Sequence, residues 1–304
     1  MKKSLFTRRV AVLAAASIVF LAACGGSDGS SDTSAGPDTT AGVCAGGGKK
    51  VLSLSPTATE MVYAIGAGDQ VVAVDSLSNW PAEAADKVTK ISAFEPNAEE
   101  ILGYDPDIVL ISNDMNSITA QLQSVKPELE VWTGAAPSAI GDVYMQIDAL
   151  GALLCREKEA ATVIDTMEAD IKEVLAGVAA PEGASYYYEL DNTLYSVTSD
   201  TFVGSLLAST GIANIADGVE EGNSYPQLNA EAVITANPSI IFLADVKCCG
   251  QNETEVAKRP GWKAIDAVKN GHVVEVDDDI ASRWGPRVVD LVRIMAGAVK
   301  ELGS

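Results

Sequence analysis

The phrase NAEEILGYDPDIVL at residues 97–110 recurs as NAEAVITANPSIIF at 229–242, 132 residues further on, with five of fourteen positions identical. Each copy reads as one helix–strand unit. Asn97 and Asn229 are good N-caps, and Ile101 and Leu102, or Val233 and Ile234, supply a packing face. Asp105-Pro106 and Asn237-Pro238 stop the helix, because the residue before a proline is pushed out of the helical region. The unbroken apolar runs that follow, 108–111 and 240–243, have the pattern of parallel strands buried on both faces. A chain that carries this unit twice is expected to be α/β, with two lobes of similar build.

A fainter repeat keeps the same order. VLSLSPTATEMVYAIGAGDQVVAVDS (51–76) reads as a strand, a Ser55-x-Thr57 turn, a helix ending near Gly66 and a second strand. YSVTSDTFVGSLLASTGIANIAD (195–217) repeats the turn as Ser199-x-Thr201 and a helix to near Gly211, at an offset of about 144. Between the lobes, Ile140, Val143, Ile147, Leu150 and Leu154, then Ile164, Met167, Ile171, Val174 and Val178, step by three and four. They predict two amphipathic helices with a break near 151–156. The second, from about 157 to 178, would span roughly 30 Å, enough to join two lobes and limit their relative motion. Ligands of such sheets sit outside the carboxyl ends of the strands, so the expected site is a cleft between the lobes. The expected division is a lobe over 50–155, a linking backbone helix over 156–180 and a second lobe over 181–304.

The ends do not belong to this fold. Lys2, Lys3, Arg8 and Arg9 precede an apolar run that stops at Cys24, the layout of a secretory signal over residues 1–23. The run is too short and too rich in alanine for a membrane-spanning helix. LAAC followed by Gly25 resembles the lipobox of bacterial lipoproteins, which implies a lipid on Cys24. The Arg8-Arg9 pair also fits twin-arginine export. Residues 24–49 are mainly Gly, Ser, Asp, Thr and Pro and read as a disordered tether. Beyond residue 23 the chain carries 17 Lys and Arg against 42 Asp and Glu, a net −25. That balance argues against nucleic acid as a partner. Of the remaining cysteines (Cys44, Cys155, Cys248 and Cys249), a direct bridge between the adjacent pair would be strained. A bridge from Cys155 to Cys248 or Cys249 is the expectation. A zinc site is the alternative reading, with only His272 to help.

SLSPTATEMVYAIGAGDQVVAVD, the NAEE…DPDIVL unit, the linking helix, YPQLNAEAVITANPSIIF and RPGWKAIDAVKNGHVVEVD together resemble the iron-siderophore and cobalamin substrate-binding proteins of ABC importers, the class III type. The likeness covers roughly residues 50–302. It implies two α/β lobes on a rigid backbone helix, no catalysis and no resident cofactor or metal. It also implies a monomer that hands a small-molecule ligand to a membrane permease with its ATPase. By the same resemblance, Glu99 and Glu231, at the heads of the two repeats, dock onto the permease. A carboxylate in the first turn of a helix is favoured by the helix dipole, which is also all that a simple helix-start acid would need.

The resemblance to cobalamin binders places Phe94 and Tyr225 among cleft aromatics and Asp279 and Arg283 among polar ligand contacts. Trp80, Tyr195 and Trp284, with Tyr186–Tyr188, lie in segments expected to border the cleft, although any one of them could equally be core. Leu77 stands where relatives carry an aromatic, and Trp284 is placed to supply the missing stacking. Aromatic walls with a few polar groups suit a large, flat, amphipathic ligand. With five arginines beyond the signal, a corrinoid or a near-neutral hydroxamate chelate fits better than an anionic catecholate. A haem-binding lipoprotein is an alternative but would want a Tyr or His ligand to iron, and His272 in NGHVV reads as a turn residue. A cleft enzyme is the other rival. It lacks G-x-S-x-G, a P-loop or paired histidines, although Asp277 to Asp279 could hold a metal. An adhesion protein would show repeats stacked in an array.

Overall fold

The computed structural model describes residues 48–303; the expected signal, Cys24 and most of the tether lie outside them. The first half runs β1 (Val51–Ser53), α1 (Pro56–Ala64), β2 (Val71–Val74), α2 (Ala98–Leu102), β3 (Ile108–Ile111), α3 (Ile118–Val125) and β4 (Glu130–Thr133). Two helices follow, α4 (Ile140–Leu154) and α5 (Glu157–Leu175). The second half opens with β5 (Ser185–Glu189), α6 (Phe202–Leu206), β6 (Ala213–Asn214), α7 (Ala230–Ala236) and β7 (Ile240–Leu243). It closes with α8 (Val246–Cys249), α9 (Glu253–Lys258), α10 (Asp266–Lys269), β8 (Val273–Glu275), α11 (Asp278–Ser282) and α12 (Val288–Glu301).

Both sheets are parallel and share one topology, β2-β1-β3-β4 and β6-β5-β7-β8. The repeated phrase is the reason. Asn97 Oδ1 accepts from Glu100 N at 3.1 Å and Asn229 Oδ1 from Ala232 N at 2.9 Å, each closing one free end of its helix. β3 and β7 are buried along their whole length, as strands with helices on both faces must be.

The fainter repeat is displaced from its expected register. α1 is capped by Ser55, whose hydroxyl accepts from Ala58 N, but α6 is capped by Thr201, which accepts from Gly204 N. The caps are therefore 146 residues apart (201 less 55) rather than 144. The strand equivalent to β1 is β5, which ends at Glu189, before the repeated turn. Leu190 N donates to Tyr195 O, and Tyr195 bridges antiparallel to Gln227. The second lobe thus inserts a short return loop between strand and helix that the first lobe lacks.

The break between the long helices falls at Cys155, which takes a left-handed conformation (φ 60°) as α4 ends. α5 stops at Leu175, short of the expected Val178. Its 19 residues span about 28 Å. Its apolar stripe, with α1, α4 and α12, covers one face of both sheets, so a single core runs from Val51 and Leu110 through Met167 to Tyr186 and Phe242. Each sheet's other face closes on a core of its own lobe. Such interiors are close-packed, so the two halves share one continuous core.

The expected bridge to the Cys248–Cys249 pair does not form. Cys155 is disulfide-bonded, while Cys248 and Cys249 are both free thiols. Both lie in α8, whose backbone N–H groups at Lys247 and Cys248 are held by the Asp278 carboxylate at 2.8 Å each. That contact turns the pair toward α11.

Candidate functional site

The carboxyl ends of β1, β2 and β3 open onto a cavity of about 580 Å3. Leu54, Ile111 and Ile118 form its apolar floor, and Leu77, Phe94 and Met115 its exposed rim. Across from them the second half of the chain contributes Asp279, Ser282, Arg283 and Trp284 from α11 and the turn after it. Trp284 is oriented by a hydrogen bond from its Nε1 to Gln146 Oε1 on α4 at 3.1 Å.

The two halves meet at this wall through a buried charge network. Glu60 on α1 is almost wholly buried and receives Arg283 Nη1 at 3.0 Å and Arg287 Nε at 3.0 Å, with Arg287 Nη2 on the same carboxylate. Arg283 also donates to Asn79 Oδ1 at 2.8 Å, Leu77 O at 3.1 Å and Asp279 Oδ1 at 2.7 Å. Four of its five N–H donors are therefore named. Asp279 in turn accepts from Asn79 Nδ2 at 3.1 Å and Lys247 Nζ at 2.9 Å. Burial pushes its carboxyl up, but Lys247, Asn79 and Arg283 outweigh that and hold it below the ordinary value. For Arg287, burial acts to lower the guanidinium's pKa and Glu60 more than offsets it. A Cβ on Gly285 would lie 3.2 Å from Glu60 Oε2, so the glycine lets this loop close on the carboxylate.

Of the residues expected at a ligand site, Phe94, Asp279, Arg283 and Trp284 come together on the cavity wall. Arg283 is there as a buried strut whose four terminal N–H donors have protein acceptors, a role its place in SRWGPR does not reveal. Trp80 lies outside the wall; its ring lies under the Arg287 guanidinium, 4.9 Å from the centroid, beside α1. Tyr195 and Tyr225 are exposed on the return loop and the segment beside it, also outside the wall. Tyr186, Tyr187 and Tyr188 are all core, one strand filling both faces. Leu77, noted as a departure, is part of the rim. Glu99 and Glu231 are exposed in the first turns of α2 and α7.

Sequence reasoning missed Asp75, the residue after β2. It is fully buried in the cavity wall. Its Oδ1 accepts from Leu77 N at 3.2 Å, and Ser78 also lies within bonding reach of the carboxylate. Burial pushes its carboxyl up, against the pull of the Ser78 and Leu77 hydrogen bonds and the Arg283 charge. A second buried acid, Asp245 after β7, has both oxygens unpaired and is raised to about 7 by burial and by Glu189, against Arg259. His272 sits at the opposite end of its sheet, its Nδ1 3.3 Å from Ser239 O. Among the described residues no group of three His, Cys, Asp or Glu could hold a metal ion.

The model of the periplasmic binding protein family matches residues 51–280. The chain belongs to that family. It is similar to an uncharacterized ABC transporter substrate-binding lipoprotein, YvrC, of Bacillus subtilis, 30% identical over 83% of this chain and 80% of that one. A cobalamin-binding protein of Halobacterium salinarum is 27% identical over 82% of this chain and 69% of its own length. A crystal structure of a possible iron-binding (periplasmic solute-binding) protein from Staphylococcus epidermidis superimposes with a TM-score of 0.71 at 25% identity, over 83% of this chain and 99% of that one. The protein is therefore an extracytoplasmic substrate-binding protein of an ABC transporter, and a binder rather than an enzyme.

Proposed function

We propose that the protein captures a corrinoid in the cavity at the ends of β1–β3 and delivers it to a membrane permease with its ATPase. A near-neutral ferric hydroxamate is the second member of the same ligand class. The observation that carries this reading is the character of the wall: apolar and aromatic surface from Leu54, Leu77, Phe94, Met115 and Trp284, with a few Ser, Thr, Asn and Asp side chains set among it. The one cation in the wall, Arg283, is already bonded to protein acceptors. A strongly anionic catecholate would meet no open guanidinium there. Haem needs a Tyr or His to ligate its iron; the wall around β1–β3 supplies neither, so that role would fall to Tyr195 or Tyr225 of the second lobe. The cobalamin-binding relative of Halobacterium salinarum points the same way.

In this reading Phe94 and Trp284 stack against the ligand, and Asp279 borders it. Tyr195 and Tyr225 would cover it from the second lobe, and Trp80 steadies Arg287 from behind. The Cys24 lipid holds the protein at the outer face of the cell membrane through the tether of residues 24–49, and the binding unit acts as a monomer. YvrC, itself named a lipoprotein, supports the anchor. Glu99 and Glu231, one per lobe, dock on the permease.

The test is a titration of the purified full-length chain with cyanocobalamin, haem and a ferric hydroxamate, read by calorimetry and absorbance. The reading expects a 1:1 complex with cyanocobalamin and none with haem; binding of haem alone would contradict it. For docking, Glu99→Ala with Glu231→Ala should leave ligand affinity intact and abolish uptake in cells. Uptake that survives would remove both acids from the docking role.

A further inference from the structure

Trp284 reaches the cavity from the second half of the chain, yet its indole is held by the first. Its Nε1 donates to Gln146 Oε1 on α4 at 3.1 Å, across 138 residues of sequence. Gln146 is itself clamped, because its Nε2 donates to Ala135 O, just past the end of β4, at 2.7 Å. The two bonds fix the orientation of the amide. A carbonyl can only accept and an indole N–H can only donate, so a reversed amide would set N–H against N–H and oxygen against oxygen. Gly134 leaves room for the clamp: a Cβ there would stand 3.1 Å from Gln146 Oε1 and 2.5 Å from the Trp132 ring. Val143 and Ile147, which flank Gln146 on α4, are wholly buried in the shared core and keep the helix in place. Arg283, the residue before Trp284, is bonded to Glu60, Asn79 and Leu77 O. Trp284 is therefore tied to the first half twice, through its neighbour's side chain and through its own ring nitrogen.

We infer that Gln146, which is not among the residues lining the cavity, is a positioning residue for ligand binding: it locks the Trp284 ring in the plane that a flat ligand meets. The inference rests on the corrinoid reading above. An indole free to turn about its side-chain bonds would have to be ordered by each ligand that arrives, and that ordering is subtracted from affinity.

The experiment combines indole N–H NMR spectra of the ligand-free full-length chain with cyanocobalamin titrations of wild type, Gln146→Leu, Trp284→Phe and the double variant. Leu keeps the bulk of the side chain and removes the acceptor; Phe keeps a ring and removes the indole N–H. The four tryptophans give four indole signals, and the one missing from Trp284→Phe belongs to Trp284. In Gln146→Leu that signal should shift while those of Trp80 and Trp262 stay, which also shows the fold intact. Affinity for cyanocobalamin should fall about three- to tenfold, the range of a neutral hydrogen bond. In the Trp284→Phe background the same substitution should change affinity by less than about 1.5-fold, because its partner is gone. Gln146→Met is read in parallel, so the result does not hang on one replacement. An unmoved Trp284 signal would overturn the inference without any ligand. A moved signal with wild-type affinity would overturn it too, as would an equal loss in the Trp284→Phe background. A wild type that does not bind cyanocobalamin sinks the corrinoid reading and the inference together; binding that ignores Gln146 sinks the inference alone.

Discussion

Leu54 and Glu189 occupy equivalent places in the two sheets. Val51 faces Ile108 across β1 and β3 as Tyr186 faces Ile240 across β5 and β7, so Leu54 corresponds to Glu189 and Asn113 to Asp245. In the first lobe that edge is aliphatic and open, and it is the floor of the cavity. In the second it is sealed. Glu189 is fully buried and clasped by Arg259 through Nη1 at 2.6 Å and Nη2 at 2.5 Å. Arg259 also bonds Gln251 and lies 4.5 Å over the Trp262 ring. One frame, filled in two ways, gives an open apolar cavity wall on one side and a buried charged plug on the other. A duplicated scaffold need not duplicate its site.

The largest effect should come from the plug. Arg259→Ala leaves Glu189 and Asp245 buried without a cation and should cost about 3–5 kcal/mol in urea unfolding. The pair Glu189→Leu with Arg259→Met, which copies the aliphatic edge of the first lobe, should recover most of that loss. A double variant no better than the single one would break the equivalence of the two edges. Next is the joint between lobes: Glu60→Gln, which strands two guanidiniums but keeps an acceptor, should cost about 3 kcal/mol by the same measurement.

Asp245 gives a smaller and pH-dependent effect. Its carboxyl is raised from 3.8 to about 7 in the fold. The folded state therefore holds the proton more tightly, and this contribution is complete below the ordinary value and lost as pH rises through 7. Asp245→Asn should remove that slope and raise the melting midpoint at pH 8 by roughly 2–4 °C, as followed by circular dichroism. A variant that melts lower than wild type at pH 8 would mean that the charged form is favoured. Smallest are the caps. Asn97→Ala and Asn229→Ala should each cost about 1 kcal/mol and by similar amounts; a marked inequality in denaturation would show that the two copies do not carry equal loads.

Local features were legible and distant ones were not. Both Asn caps, the proline stops and the buried strand runs follow from short-range rules, and the break between α4 and α5 could be placed within a few residues. The second repeat is shifted by two residues because TSDT offers three hydroxyls, and only the surrounding fold selects Thr201 as the cap. Glu60 reads as one acid in PTATEMVYA, yet its partners are 223 and 227 residues away, a separation at which no spacing rule operates. Arg283 was placed at the ligand site by family resemblance alone; it does line the cavity, but that Glu60, Asn79 and Asp279 take its donors could not be read from SRWGPR. Asp75 ends VVAVD as many strands end, and its burial depends on walls supplied by β3 and α11. Cys155 could not be paired from spacing, and the thiols of α8 stay free.

The central claim is that the open edge of the first lobe, completed by Trp284, is where the ligand lies. It is tested most directly by the dissociation constant for cyanocobalamin in wild type, Phe94→Ala and Trp284→Ala. Removing either aromatic wall should weaken binding about tenfold or more, the equivalent of about 1.4 kcal/mol, with the fold intact. Wild-type affinity retained in both variants would contradict the account.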